Sequence, residues 1–218
     1  GTKIITANTL ISNKSYATEN ILLYLISMKI TDRKLEIITI AAQLFKEKGY
    51  SAVTMRDIAQ AMNIKAASLY NHIKSKQEIL VLIIIEIAEE FTHVMNDIVT
   101  SKTTVVNKIE RVIQLHITIT LRNADALACL NNDWMHLTDD ELKYFVKMRE
   151  EYEENFRKII SEGVLGGEIK NINQEVVVFS ILSTLRTMYL WYDKTKALDA
   201  QTLQNTIATV FLKGVANE

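Results

Sequence analysis

No proline interrupts this chain, and its 218 residues include only six glycines. Proline lacks the amide that a helix interior needs, and glycine costs about 1 kcal/mol there relative to alanine. With both breakers scarce, the sequence predicts an all-α fold. No Asn-Gly or Asp-Gly pair occurs, so the strongest short signal for a β-hairpin is missing too. The apolar share of 48% and charged share of 23% are ordinary for a globular chain. No apolar run reaches the roughly 18 residues of a membrane helix. The longest runs from Ile79 to Ile85 between Glu78 and Glu86, and reads as a buried helix segment. Cys129 is the single cysteine, which rules out an internal disulfide and suits a cytoplasmic location.

Apolar spacing and capping residues divide the chain into helices. Leu35, Ile38, Ala41, Ala42 and Phe45 form an amphipathic stripe, with Asp32 placed to cap its start and Gly49 to end it. Thr54 to Asp57 reads as a capping box that opens a short helix through Met62, with Ile58, Ala59 and Met62 inward. A third helix is expected from Ala66 to Ile73 with Leu69 inward, and Ser75 to Glu78 reads as a full capping box opening a long fourth. Further helices are expected over Thr104–Arg122, Asp125–Met135, Asp139–Leu165, Asn173–Asp193 and Asp199–Val215, with another capping box at Thr138–Glu141. The expected organisation is an N-terminal extension of no assigned role over residues 1–27, a helix-turn-helix domain over 28–76, and a helical ligand-binding and dimerisation domain over 77–218. With Gly1 at its start, the extension is expected to be either an extra arm or a start-site artefact, and Met28 would make a natural first residue for the helix-turn-helix domain.

Charge is unevenly spread. Residues 28–76 hold nine Lys/Arg against four Asp/Glu, whereas residues 77–218 hold fourteen against twenty-one. A basic segment on an acidic body is a pattern of nucleic-acid binders. Two short helices after a longer one also match the helix-turn-helix layout, in which an apolar platform presents the outer face of the last helix to a major groove. Here Leu35, Ile38, Phe45, Ile58, Ala59 and Met62 would make the platform. Ala66 and Ala67 are small enough for close approach to bases, and Lys65 and Ser68 can donate hydrogen bonds.

The segment "AAQLFKEKGYSAVTMRDIAQAMNIKAASLYNHIKSKQEIL" resembles the DNA-binding domain of the TetR family of bacterial transcriptional regulators. The resemblance rests on Ala42, Leu44, Phe45, Gly49, Tyr50, Thr54, Ile58, Ala59, Ser68, Leu69, Tyr70, His72, Lys76 and Leu80. The chain departs from the family pattern at Ile73, where Phe is common, and in "NIKAAS", which lacks the usual turn glycine. The resemblance implies that Thr54 caps the second helix near a phosphate and that Arg56 reaches a phosphate or base. It further implies that Tyr70, His72 and Lys76 hold the DNA backbone, while Lys65, Ala66, Ala67, Ser68 and Asn71 face or border bases.

A second stretch, "DWMHLTDDELKYFVKMREEYEENFRKIISEGVLGGEI" followed by "VVFSILSTLRTMYLWYD", resembles the C-terminal domain of TetR-family regulators that sense acyl-CoA thioesters. Its matching residues are Arg149 to Tyr152, Phe156, Glu162, Gly163, Gly167, Glu168, Tyr189, Trp191 and Tyr192. Helices with broad apolar coverage supply the candidate ligand residues His116, Ile119, Leu130, Trp134, Met148, Tyr152, Phe156, Leu185, Arg186 and Tyr189. Arg186 lies in an apolar helix, so its charge needs a partner: a ligand anion, or an acid across a subunit contact. The last two helices are apolar on more than one face through Val177, Phe179, Ile181, Leu182, Leu185, Ile207, Val210 and Phe211, which predicts a homodimer contact.

The expected function is a repressor that binds a palindromic double-stranded DNA operator as a homodimer and is released by a small hydrophobic effector such as an acyl-CoA. The fourth helix, shared by both domains, is the expected lever. No cofactor, metal or membrane partner is expected. No enzyme activity is expected either: the spacing of His116, Cys129 and His136 fits no metal-ligand pattern, and "GVLGGE" lacks the Lys-Ser/Thr of a phosphate loop. The alternative is a helical adaptor or ligand-binding protein without sequence-specific DNA binding.

Overall fold

A computed structural model describes residues 32–195 and 198–215. The expected extension over residues 1–27 lies outside them, as does the side chain of Asp32 with its expected capping role. Among the described residues the chain is helical throughout: α1 (Asp32–Lys48), α2 (Met55–Ala61), α3 (Ala66–Tyr70), α4 (Lys76–Thr100), α5 (Val105–Asn132), α6 (Asp139–Leu165), α7 (Gln174–Thr195) and α8 (Ala200–Val215). Single 3-10 turns at Tyr50–Ala52 and Trp134–His136 follow α1 and α5. None of these helices is long and apolar enough to cross a membrane.

The α1 stripe is Ile37, Ile38, Ala41, Ala42 and Phe45, all buried. Leu35, expected in that platform, is 41% exposed. At 100° per residue it lies roughly 90° from the stripe's centre. Lys34 occupies the central direction instead and pairs with Glu78 at 2.9 Å. The α2 capping box forms as expected: Thr54 Oγ1 accepts from Asp57 N at 3.2 Å, and Asp57 Oδ2 accepts from Thr54 N at 2.7 Å. The turn to α3 needs no glycine because Asn63 adopts φ 54°, the left-handed region that asparagine tolerates. Helix α3 ends at Tyr70, earlier than Ile73, because Asn71 caps it and Ile73 turns into the core.

Two expected boxes differ. Ser75 Oγ accepts from Glu78 N at 3.1 Å, but the Glu78 carboxylate reaches Lys74 N, at 2.7 Å, one residue before the cap. At α6 no box forms: Thr138 makes no side-chain cap and Asp139 takes φ 49°. The two helices expected between residues 104 and 135 are α5, broken at Asn123 (φ −152°, ψ 63°). Asn123 Oδ1 accepts from Ala126 N at 3.2 Å and restarts the helix. The last expected turn of that stretch is the 3-10 segment.

Helix α5 is the axis of the body. It packs against α1, α4, α6, α7 and α8, and α4 also lies along α6. Where α6 ends, the chain returns to the start of α5 so closely that a Cβ on Gly163 would stand 2.4 Å from Ile169 Cγ1 and 2.7 Å from Val105 Cγ1. Glu168 then accepts from Val105 N at 2.9 Å, and buried Lys108 pairs with Glu162 at 3.0 Å. The "EG…GE" residues of the sequence are therefore architectural.

Candidate functional site

Leu69 and Ile73 are fully buried and fix how α3 sits on the platform. The helical period then turns Ala67, Ser68, Tyr70, Asn71 and His72 outward, with Lys65 before them and half-buried Ala66 at the edge. Tyr70 is 53% exposed. Arg56 and Thr54 are exposed beside them on α2 and its cap. The side chains of Arg56, Lys65, Tyr70, Asn71 and His72 make no hydrogen bond or ion pair among the described residues. Thr54 is engaged: its hydroxyl lies 2.6 Å from Asp57 Oδ2. Hydrogen bonds from Thr54 hold the Asp57 carboxyl below the usual range.

Lys76, expected to hold the DNA backbone, has partners inside the head. It is half-buried, and its Nζ donates to Tyr50 O at 2.8 Å and Val53 O at 2.7 Å while lying 4.2 Å from the Tyr50 ring centroid. Two of its three ammonium protons close the loop between α1 and α2.

That loop also joins the head to the body. Tyr50 meets Phe45 edge-to-face, ring centroids 5.2 Å apart, and lies tilted against the His136 ring at 5.1 Å. Tyr50 OH donates to Gln77 Oε1 at 2.8 Å, and Gln77 Nε2 donates to His136 O at 3.0 Å. Tyr50 N approaches the buried Asp133 carboxylate at 3.4 Å. Burial raises the pKa of both Asp133 and the Tyr50 phenol. Sequence reasoning misses this joint, since its partners lie about 85 residues apart. By sequence, Tyr50 is only part of the family motif and His136 only a rejected metal ligand.

Helices α4 to α7 line a half-open cavity of about 70 Å³. Of the ten expected ligand residues, His116, Leu130, Met148, Tyr152, Leu185 and Arg186 line it. Ile119, Phe156 and Tyr189 are core residues away from its wall, and Trp134 packs on Phe145 at 5.7 Å. Phe91, Thr92, Asn131, Phe145 and Arg149 line it without being expected there. Arg149 is visible in the family motif, whereas Phe91 and Thr92 sit in a helix expected to act as a connecting lever.

The cavity wall carries a buried pair, His116 Nε2 and Tyr152 OH, 2.9 Å apart and flanked by the Phe91 ring. Burial, with the charge of Arg186, pushes the His116 pKa down to about 3, so the ring is neutral near pH 7. Burial also pushes the Tyr152 phenol well up. Arg186 finds its partner within the chain, at Glu153 Oε1, 2.7 Å away; Arg149 approaches the same carboxylate at 3.6 Å.

On the outside of α7, Val176, Phe179, Leu190 and Trp191 are exposed, with Ser180, Ser183, Thr184 and Thr187 between them; Val210 on α8 is 66% exposed. Val177, Ile181, Leu182 and Leu185, also expected at a subunit contact, are buried in the core instead, since α7 packs on α5 and α6 with its opposite face.

Residues 37–83 match the profile of "Bacterial regulatory proteins, tetR family", and residues 102–215 match "Tetracyclin repressor-like, C-terminal domain". The HTH-type transcriptional repressor KstR2 of Rhodococcus jostii is 26% identical over 187 residues, covering 85% of this chain and 92% of that protein. The solved ketosteroid regulator KstR2 of Mycobacterium tuberculosis has the same fold, with TM-score 0.80, 21% identity, and coverage of 87% of this chain and 97% of that one. So does AibR, solved with isovaleryl coenzyme A and operator DNA, with TM-score 0.68, 20% identity, and coverage of 80% and 95%. The chain belongs to the TetR family of bacterial transcriptional regulators.

Proposed function

We propose that this protein is a dimeric, cytoplasmic repressor, without catalytic activity, whose head binds a palindromic operator and whose cavity takes a small effector that releases it. The observation that carries the reading is the outer face of α3 and its flanks: the side chains of Lys65, Tyr70, Asn71 and His72 have no partner among the described residues and stand outward over a fully buried Leu69. A face of that kind on an ordinary soluble helix would be solvated and indifferent. On a helix-turn-helix platform it meets base edges and phosphates. One head reads only a few base pairs, so two related by a twofold are needed, and the exposed apolar residues of α7 and α8 supply a surface for the second copy.

The cavity supports an effector with an apolar part and an anionic part. Its lining is mostly apolar, while the two guanidiniums of Arg149 and Arg186 share the single carboxylate of Glu153, which leaves one positive charge in the set. An acyl-CoA fits that division, and AibR, of the same fold, was solved with one. The signal has a short route. Leu130 and Asn131 line the cavity, and Asp133, at the end of the same helix, opens the turn that carries His136 against Tyr50. This turn works beside α4, the helix shared by both domains.

The test is selection of binding sites from a random duplex library, followed by salt titration. Phosphate contacts release counterions, so log affinity should fall linearly with log salt. Tyr70→Ala with Lys65→Ala should weaken the selected duplex about tenfold or more and flatten that slope. No enriched, salt-sensitive palindrome would leave the adaptor alternative standing.

A further inference from the structure

The polar side chains of the cavity wall are not equivalent. Thr92 Oγ1 donates to Ala88 O at 2.8 Å and Asn131 Nδ2 donates to Leu127 O at 2.9 Å, so their protons are taken by backbone. The His116–Tyr152 pair differs. A neutral imidazole has one N–H and one bare nitrogen. If Tyr152 donates to Nε2, the Nδ1–H is left over; if Nε2–H donates to the phenol, the phenol proton is left over. Neither residue makes a second hydrogen bond among the described residues. The pair therefore keeps one spare donor in either tautomer. A hydrocarbon group packed against it would strand that donor, a loss of roughly tenfold or more in affinity. The cavity is also small, about 70 Å³.

We infer that the effector's acyl group is short and oxygenated, a hydroxy- or keto-acyl chain whose oxygen accepts a hydrogen bond from the His116–Tyr152 pair. This rests on the effector reading above. The charged end of the molecule lies toward exposed Arg149, and the acyl oxygen toward the buried pair.

The experiment measures the concentration of each probe that half-releases the selected operator duplex. The probes are the coenzyme A thioesters of saturated, 3-hydroxy and 3-oxo four-carbon acids and of the saturated eight-carbon acid. The oxygenated four-carbon thioesters should act at concentrations about tenfold or more below their saturated counterpart, and the eight-carbon thioester should be weakest. In the double variant His116→Leu, Tyr152→Phe the ratio of oxygenated to saturated should fall toward one. The ratio is taken within each protein, so a change in operator affinity cancels, and a thermal melt identifies a variant that fails to fold. Should it fail, the wild-type series decides. Equal or better action by either saturated thioester overturns the inference and leaves the acyl-CoA reading intact. If no thioester releases the duplex or shifts the melting temperature, the acyl-CoA reading falls, and the inference with it.

Discussion

The head and the cavity are built by opposite rules. Every side chain assigned to DNA comes from one short segment, Thr54 to Lys76, and most stand in solvent without partners. The cavity draws on α4, α5, α6 and α7, from Ala88 to Arg186, and its polar groups already have partners in side chains or backbone. A reading surface can leave its groups unpaired because water satisfies them until DNA arrives. A buried site leaves few unpaired, because an orphaned polar group in a low-dielectric interior costs about 1–3 kcal/mol; the spare donor of the His116–Tyr152 pair is the exception here. What the first gains by exposure the second must arrange by pairing, and the pairing then restricts what fits.

The comparison is most directly broken at Leu69, the residue that lets the head remain exposed. Leu69→Ala should cost about 2–5 kcal/mol in urea denaturation and abolish operator binding. Retained binding would mean that α3 does not need its buried anchor. A smaller effect tests the buried side. The folded His116 pKa lies below the value of an unfolded histidine, so the unfolded state takes up a proton first as pH falls. Stability from this group is present above about pH 6.5 and lost progressively toward its folded value of about 3. Between pH 7 and pH 5 the protein should lose about 1–2 kcal/mol that His116→Gln does not lose. Equal pH profiles would place the ring in contact with water. The smallest effect concerns the joint between the regions. Tyr50→Phe removes the hydrogen bond to Gln77, for about 1 kcal/mol. It should shrink the effect of effector on operator affinity more than it changes affinity in the absence of effector. Unchanged coupling would assign the signal to α4 alone.

Legibility in the sequence obeys the same division. The helices, the α2 cap and the inward set Ile58, Ala59 and Leu69 are readable because each depends on neighbours three or four residues away. The bonds of Lys76 to Tyr50 O and Val53 O are not legible, because they go to backbone atoms that no residue pattern reveals. Ile119 and Phe156 are as apolar as true lining residues, and only packing tells a wall from a core. The Thr138 cap fails for a related reason: Leu137 is buried, and Asp139 adopts a positive φ that no capping pattern includes.

The interruption at Asn123 has one more consequence. Before it, α5 carries His116; after it, one short rod carries Leu127, Leu130 and Asn131 and leads into Asp133. An unbroken cylinder could yield to a guest only by bending or by dragging its whole length. Under the proposed function, a jointed one would let an effector act on the arm that runs to Asp133 separately from the arm that carries His116.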